Sequence, residues 1–138
     1  MPTVFVDTWY FIARAQKFDP YHAAALRLAR AYGEVTFVTH DGVLTEVLAF
    51  FSARGKFWRE SAASFVRDVI TNPKYEVTPL SRELFERALS LYERRADKEY
   101  SLTDCASMHL MRYHDIDHVF TDDHHFRQEG FTVLCDAP

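Results

Sequence analysis

The sequence contains few of the residues that mark disulfide-bonded, fibrous or disordered chains. Its 138 residues include 2 Cys, 4 Gly and 5 Pro, too few cysteines for a disulfide framework and too little Gly and Pro for a low-complexity chain. No segment approaches the ~20 consecutive apolar residues of a membrane-spanning helix. The N-terminus has neither a basic leader nor an apolar run of signal-peptide length. We therefore expect a cytoplasmic protein with no membrane partner.

The chain contains ample material for a packed core. Hydrophobic residues make up 48% and aromatic residues 15% of the 138 positions, and this length is typical of one domain. We expect residues 1–138 to form a single domain. The net charge of −4 argues against a protein that coats nucleic acid, because affinity for phosphate backbones depends on Lys and Arg.

Short β-branched or aromatic runs alternate with longer helical stretches. The predicted strands are 3–6, 35–38, 75–78, 118–121 and 132–135. Five helices are predicted. The first has Asp19 as its cap, begins at Pro20 and ends at about residue 32, and two more run from about 42 to 54 and from 57 to 70. Ser81 caps a helix that ends at about residue 96, and Ser101 caps one that ends at about residue 113. This alternation predicts an α/β fold with a mostly parallel sheet.

Acidic residues directly follow two of the predicted strands. Asp7 comes after strand 3–6, and Asp122 and Asp123 come after strand 118–121. Parallel sheets place ligands at the carboxyl ends of their strands, so these acids are expected at one edge of the sheet. Each also has an ordinary explanation, because Asp7 could cap a following helix and the Asp pair could belong to a turn.

Two further acids lie on predicted helices. Asp104 ends the segment Ser101-Leu102-Thr103-Asp104, which has the form of a capping box, and capping alone could explain it. Glu46 lies on the border of an apolar stripe, although a Glu most often points to solvent. The convergence of several acids on one region favours a functional cluster.

A cluster of carboxylates requires a compensating charge, because neighbouring carboxylates raise one another's pKa unless a cation intervenes. No Lys or Arg adjoins Asp7, and none lies within three positions of Asp104 or Asp123. All-oxygen ligation favours Mg²⁺ or Mn²⁺ over zinc. With a phosphate substrate, such ions activate water and stabilise the charge of an in-line displacement.

Four motifs in a fixed order give the sequence a family resemblance. They are Val4-Phe5-Val6-Asp7, Leu44-Thr45-Glu46-Val47, Ser101-Leu102-Thr103-Asp104, and Thr121-Asp122-Asp123-His124-His125-Phe126 followed by Gly130-Phe131. Together they span almost the whole chain. The sequence resembles PIN-domain proteins, specifically the VapC-type toxin ribonucleases of prokaryotic toxin–antitoxin pairs.

The resemblance implies a three-layer α/β/α sandwich around a five-stranded parallel sheet of order 3-2-1-4-5. It also implies a Mg²⁺- or Mn²⁺-dependent endoribonuclease that cleaves structured RNA such as tRNA or rRNA. An antitoxin partner and a homodimer are implied in the same way.

Carried over residue by residue, the family's catalytic and metal-binding acids fall on Asp7, Glu46, Asp104 and Asp123. We expect the three aspartates to hold one or two cations, with Glu46 completing the shell or orienting the attacking water. Asp123 is chosen over Asp122 because the family pattern Thr-x-Asp-x-His-Phe aligns it, and Asp122 departs from that pattern. Polar positions that support the acids in the family fall on Ser101 and Thr121.

Three basic residues, Arg54, Lys56 and Arg59, are candidates for binding the RNA backbone, with a solvated helix end as the equal alternative. Two other functions compete with a toxin ribonuclease. One is a PIN nuclease in RNA processing outside a toxin pair. The other is a non-catalytic interaction domain, which the presence of all four acids disfavours.

Three further hypotheses have less support. Cys105 and His109 are four positions apart, but no second Cys/His pair accompanies them, so we expect a core cysteine rather than a zinc site. No Gly-rich phosphate loop indicates ATP hydrolysis. A haloacid-dehalogenase-like phosphatase would need a second Asp two positions after Asp7, where Trp9 stands.

Overall fold

The computed structural model describes residues 3–136. Its elements, in chain order, are β1 (Thr3–Val6), α1 (Thr8–Ala15), α2 (His22–Ala31), β2 (Thr36–His40), α3 (Asp41–Phe51), α4 (Lys56–Thr71), β3 (Tyr75–Thr78), α5 (Arg82–Arg94), α6 (Leu102–Tyr113), β4 (His118–Phe120), α7 (His125–Gln128) and β5 (Thr132–Leu134). None of the helices in this described part is both long and apolar enough to cross a membrane.

The strands form one parallel sheet with the order β3-β2-β1-β4-β5. Val4, Phe5 and Val6 of the central strand are almost fully buried although their side chains alternate between the two faces. Both faces are therefore covered by helices, as parallel sheets require. The predicted three-layer α/β/α sandwich and its strand order are confirmed.

Several predicted boundaries are wrong by a few residues. Helix α2 begins at His22 rather than at Pro20, because the Asp19 carboxylate accepts a hydrogen bond from the backbone N–H of Tyr21 and forms a turn. Strand β2 extends to His40 and is followed by α3 without a loop. Helices α3 and α5 end before the predicted residues 54 and 96, and the short helix α7 was not predicted.

Aromatic packing fixes α1 against the strands that carry the acids. The ring of Tyr10 lies 5.1 Å from that of Phe120, and Phe37 lies 5.3 Å from Phe120, all centroid to centroid. These three rings are almost fully buried. Cys105 of α6 is also fully buried, which confirms it as a core residue.

Glu129 ties the last part of the chain to helices α5 and α6. Its carboxylate accepts hydrogen bonds from Arg95 Nε at 3.0 Å, Arg112 Nη2 at 3.0 Å and Tyr100 Oη at 3.1 Å. Burial raises the pKa of Glu129, but these hydrogen bonds outweigh it and leave the pKa below its usual value. Glu129 therefore stabilises the folded protein at neutral pH, and this contribution is lost as the pH falls through the lowered pKa.

We expect Glu129→Gln to lower the free energy of unfolding by about 1–3 kcal/mol at pH 7, because two guanidinium groups lose their carboxylate. Urea denaturation measures the change. Glu83→Gln is the matched control, since Glu83 forms an exposed ion pair with Arg87 at 4.0 Å and exposed pairs contribute little. Equal effects of the two substitutions would show that the Glu129 cluster does not stabilise the fold.

Candidate active site

Asp7 lies directly after β1, and its side chain is 6% exposed. Its Oδ2 accepts a hydrogen bond of 2.7 Å from Thr121 Oγ1, and its carboxylate makes no capping bond to α1. The capping alternative is therefore wrong for this residue. Burial raises the pKa of Asp7 to about 7, the bond from Thr121 opposes this rise, and the carboxylates of Asp104 and Glu46 add to it.

Asp104 combines the helix cap and the acidic cluster. The predicted capping box is confirmed, since Ser101 Oγ accepts from the Asp104 backbone N–H at 3.0 Å and Asp104 Oδ2 accepts from the Ser101 N–H at 3.1 Å. The same Oδ2 lies 3.3 Å from His125 Nδ1. Burial raises the pKa of Asp104, the Ser101 N–H lowers it, and the Asp123 carboxylate raises it. The capping box therefore holds in place the Asp104 carboxylate, which also belongs to the acidic cluster.

Glu46 projects from α3 toward the same place. Thr8 Oγ1, in the first turn of α1, donates a hydrogen bond to Glu46 Oε1. The side chain is half-buried, and burial raises its pKa, with further increases from Asp104 and Asp123. Glu46 therefore does not simply point into solvent. Thr8 was not among the predicted site residues. Its position directly after Asp7 is the sequence feature that could have identified it.

Asp123, rather than Asp122, faces the other acids. Its backbone N–H donates to Thr121 Oγ1 at 3.1 Å, and its Oδ1 accepts from the His125 N–H at 2.9 Å. Its carboxylate acts electrostatically on Glu46 and Asp104. Asp122 is exposed, and its pKa is raised by partial desolvation and by the carboxylates of Asp123 and Asp19.

The fold thus brings all four predicted acids into one electrostatically coupled cluster. Thr121 contacts both Asp7 and Asp123, and His125 Nδ1 lies within 3.3 Å of both Asp104 and Asp123. Within residues 3–136, no Lys or Arg forms an ion pair with any of the four acids. Carboxylate oxygens without a Lys or Arg partner suit a divalent cation such as Mg²⁺, which usually keeps several of its waters.

A buried hydrogen-bond chain that the sequence did not reveal connects the helices carrying Glu46 and Asp104. His40 Nδ1 accepts from the Gly42 N–H at 3.0 Å, at the start of α3. His40 Nε2 lies 2.9 Å from Ser107 Oγ, which donates to the Thr103 carbonyl at 2.9 Å. A Cβ at Gly42 would lie 2.7 Å from His40 Cε1, so only glycine fits there.

We expect Ser107→Ala to lower the free energy of unfolding by about 1–3 kcal/mol, because it leaves the buried His40 N–H without an acceptor. Ser52→Ala is the matched control, since the Ser52 hydroxyl donates to the Ala49 carbonyl at an exposed position. Chemical denaturation of both variants measures the difference. A loss no larger than that of Ser52→Ala would contradict a structural role for this hydrogen-bond chain.

The three basic candidates lie around the connection between α3 and α4 and are exposed. Arg54 stacks over the Phe50 ring at 4.0 Å. Lys56 pairs with Glu60 at 2.8 Å, and Arg59 donates to the Ser52 carbonyl at 2.9 Å. Each side chain therefore makes a local contact, and its role in RNA binding stays a prediction.

The chain is similar in sequence and fold to proteins of known structure and activity. The 23S rRNA-specific endonuclease VapC20 of Mycobacterium tuberculosis, in strains H37Rv and CDC 1551 / Oshkosh, is 28% identical over 131 residues, or 95% of this chain and 97% of that protein. The crystal structure of VapC20 from this organism, described as a sarcin-ricin loop cleaving toxin, superposes with a TM-score of 0.83 at 25% identity. That match covers 94% of this chain and 96% of the other.

A more distant structure shares the fold alone. VapBC2 from Rickettsia felis, bound to a DNA fragment from its promoter, has a TM-score of 0.67 at 12% identity over 95% of this chain and 96% of that one. A family model described as the PIN domain matches residues 4–131, a range that includes all four acids. The protein is a member of the PIN-domain family.

Proposed function

We propose that this protein is a divalent-metal-dependent endoribonuclease of the VapC type, which cleaves structured RNA as the toxin of a toxin–antitoxin pair. One observation carries the proposal: the carboxylates of α3, of α6 and of the segments after β1 and β4 form one electrostatically coupled cluster, joined through Thr8, Thr121 and His125. No Lys or Arg among the described residues forms an ion pair with them. The similarity to VapC20 supports RNA as the substrate.

In the proposed reaction, Asp7, Asp104 and Asp123 hold Mg²⁺ or Mn²⁺ directly or through water. When bound, the cation stabilises the charge that develops on the phosphate and helps to activate water. Glu46 is positioned by Thr8 and either completes the shell or orients the attacking water. Thr121 keeps the Asp7 carboxylate oriented through the 2.7 Å hydrogen bond, and Ser101 does the same for Asp104 through its backbone N–H.

The substrate class in this proposal is an rRNA hairpin, by analogy with VapC20, a 23S rRNA-specific endonuclease and sarcin-ricin loop cleaving toxin. Exposed Arg54, Lys56 and Arg59 are the proposed contacts to the RNA backbone, where cationic side chains bind phosphate. An rRNA substrate places the reaction in the cytoplasm. A cognate antitoxin and a homodimer complete the proposal, and both rest on the resemblance to VapC-type toxins.

The direct test is incubation of purified protein with 23S rRNA and a sarcin–ricin-type hairpin, with Mn²⁺, with Mg²⁺ and with EDTA. We expect cleavage at a defined position that depends on either metal and stops in EDTA. Absence of cleavage of any structured RNA in either metal would overturn the proposal. Growth arrest on expression, relieved by the product of the adjacent upstream gene, would separate a toxin from an RNA-processing nuclease.

The Asp pair after β4 offers a matched test of the fourth acid. We expect Asp123→Asn to lower the cleavage rate by at least about 100-fold, because a group that positions the reacting ion is lost. Asp122→Asn should change the rate less than about threefold, since this side chain is exposed beside the cluster. The reverse order of effects would assign the fourth position to Asp122.

A further inference from the structure

Two imidazole rings stand beside the acidic cluster, at the start of α7. The nearest donor atoms of Asp123, His124 and His125 all lie within 4.8 Å of one another. His125 Nδ1 is 3.2 Å and His124 Nδ1 is 3.8 Å from the same oxygen, Asp123 Oδ1. This spacing suits three donors that share one metal ion.

The surrounding contacts hold this group in place. The His125 backbone N–H donates to Asp123 Oδ1 at 2.9 Å, and its ring packs against Tyr100 with centroids 5.3 Å apart. The rings of His124 and His125 lie 4.7 Å apart. Asp104 Oδ2 lies 3.3 Å from His125 Nδ1, on the side of the acidic cluster, but it does not belong to the group of three close donors.

Imidazole nitrogen changes which ion such a site selects. Mg²⁺ takes oxygen ligands almost exclusively, whereas imidazole suits first-row transition ions. His125 Nδ1 lies 3.2–3.3 Å from carboxylate oxygens, which only accept, so this atom donates a proton to them. In the other neutral tautomer, with the proton on Nε2, Nδ1 presents a lone pair that a cation can take up in place of that proton.

We infer that His124 and His125 are metal ligands, and that together with Asp123 they make this site prefer a first-row transition dication such as Mn²⁺ over Mg²⁺. The inference rests on the proposed function, because it names the cofactor of that same site. It replaces the earlier expectation that oxygen atoms alone hold the ion.

The chain offers a matched control in a second Asp–His pair. His118 Nδ1 lies 3.5 Å from Asp117 Oδ2, and its side chain is 47% exposed. Within residues 3–136, this pair does not belong to a group of three close donors. His118→Ala therefore removes an imidazole beside a carboxylate without touching the inferred site.

Calorimetric titration of the metal-free protein with Mn²⁺ and with Mg²⁺ tests the inference. We use His124→Ala, whose side chain is 70% exposed and whose loss leaves the core intact, and His125→Phe, which keeps the ring against Tyr100. Loss of an imidazole ligand should raise the Mn²⁺ dissociation constant about 10–100-fold. The Mg²⁺ constant and both constants of His118→Ala should change less than about threefold. In electron spin echo spectra, Mn²⁺ bound to wild type should show nitrogen couplings that weaken in each variant.

Wild-type Mn²⁺ affinity in both histidine variants, or bound Mn²⁺ without nitrogen coupling, would overturn the inference. If those variants match wild type while wild type still cleaves RNA, the histidine ligands are refuted and the proposed function stands. If wild type binds neither ion and cleaves no RNA, the proposed function itself has failed.

Discussion

Asp104→Asn should reduce RNA cleavage by at least about 1,000-fold while leaving the fold intact. Asparagine keeps a side-chain oxygen that can accept the bond from the Ser101 N–H, so the capping box survives. It removes the negative charge that faces His125 and the other carboxylates. A cation that both activates water and stabilises phosphate charge lowers the activation free energy by several kcal/mol. Weaker cation binding removes much of this effect.

Ser101→Ala provides the complementary change. It removes the hydroxyl that accepts from the Asp104 N–H and should cost about 1 kcal/mol of stability. The Asp104 carboxylate and its bond to the Ser101 backbone remain, so cleavage should fall less than about tenfold. Single-turnover cleavage and urea denaturation of both variants separate the two roles. If Asp104→Asn retains more than a tenth of the wild-type rate, Asp104 serves mainly as a cap.

Asp7→Asn should make the metal-free protein more stable at pH 8 while it abolishes cleavage. The pKa of Asp7 rises from the usual 3.8 to about 7, mainly through burial, so the folded state binds this proton more tightly than the unfolded chain. The stabilisation is complete below about pH 4 and is lost as the pH rises through about 7. The difference between the two pKa values corresponds to on the order of 4 kcal/mol as an upper limit.

Asparagine at position 7 stays neutral, so no buried charge destabilises the folded protein at high pH. Its side-chain oxygen can still accept the hydrogen bond from Thr121 Oγ1. We expect Asp7→Asn to raise the free energy of unfolding in EDTA by on the order of 2 kcal/mol at pH 8, with little change near pH 4. Asp68→Asn, at an exposed position of α4, should change stability at neither pH. Added Mn²⁺ should stabilise Asp7→Asn less than it stabilises wild type. A less stable Asp7→Asn protein at pH 8 would contradict a destabilising buried charge.

The edge of the sheet at which the acids meet can be predicted from the sequence, because it depends only on which residues directly follow the strands. Asp7 and Asp123 each follow a short apolar strand, and parallel strands end at a common edge. The capping signature of Ser101 and Asp104 was equally readable, since it spans one helical turn.

What the sequence could not show depends on contacts between distant positions. His40 lies in a β-rich run with no mark of its partner Ser107, which is 67 positions away. Helix α7 is four residues long, too short for a periodic pattern. The imidazoles of His124 and His125 could be expected near Asp123 because the three residues are adjacent. That their Nδ1 atoms face Asp123 depends on the backbone conformation at the start of α7, which the sequence does not show.

The position of the metal ion is the most direct test of the central claim that these distant carboxylates share a divalent cation. Crystals of the wild-type protein soaked in Mn²⁺ should show an anomalous difference peak within about 2.5 Å of carboxylate oxygens of the cluster formed by Asp7, Asp104 and Asp123. No peak at saturating Mn²⁺, or a peak only outside this cluster, would contradict the claim.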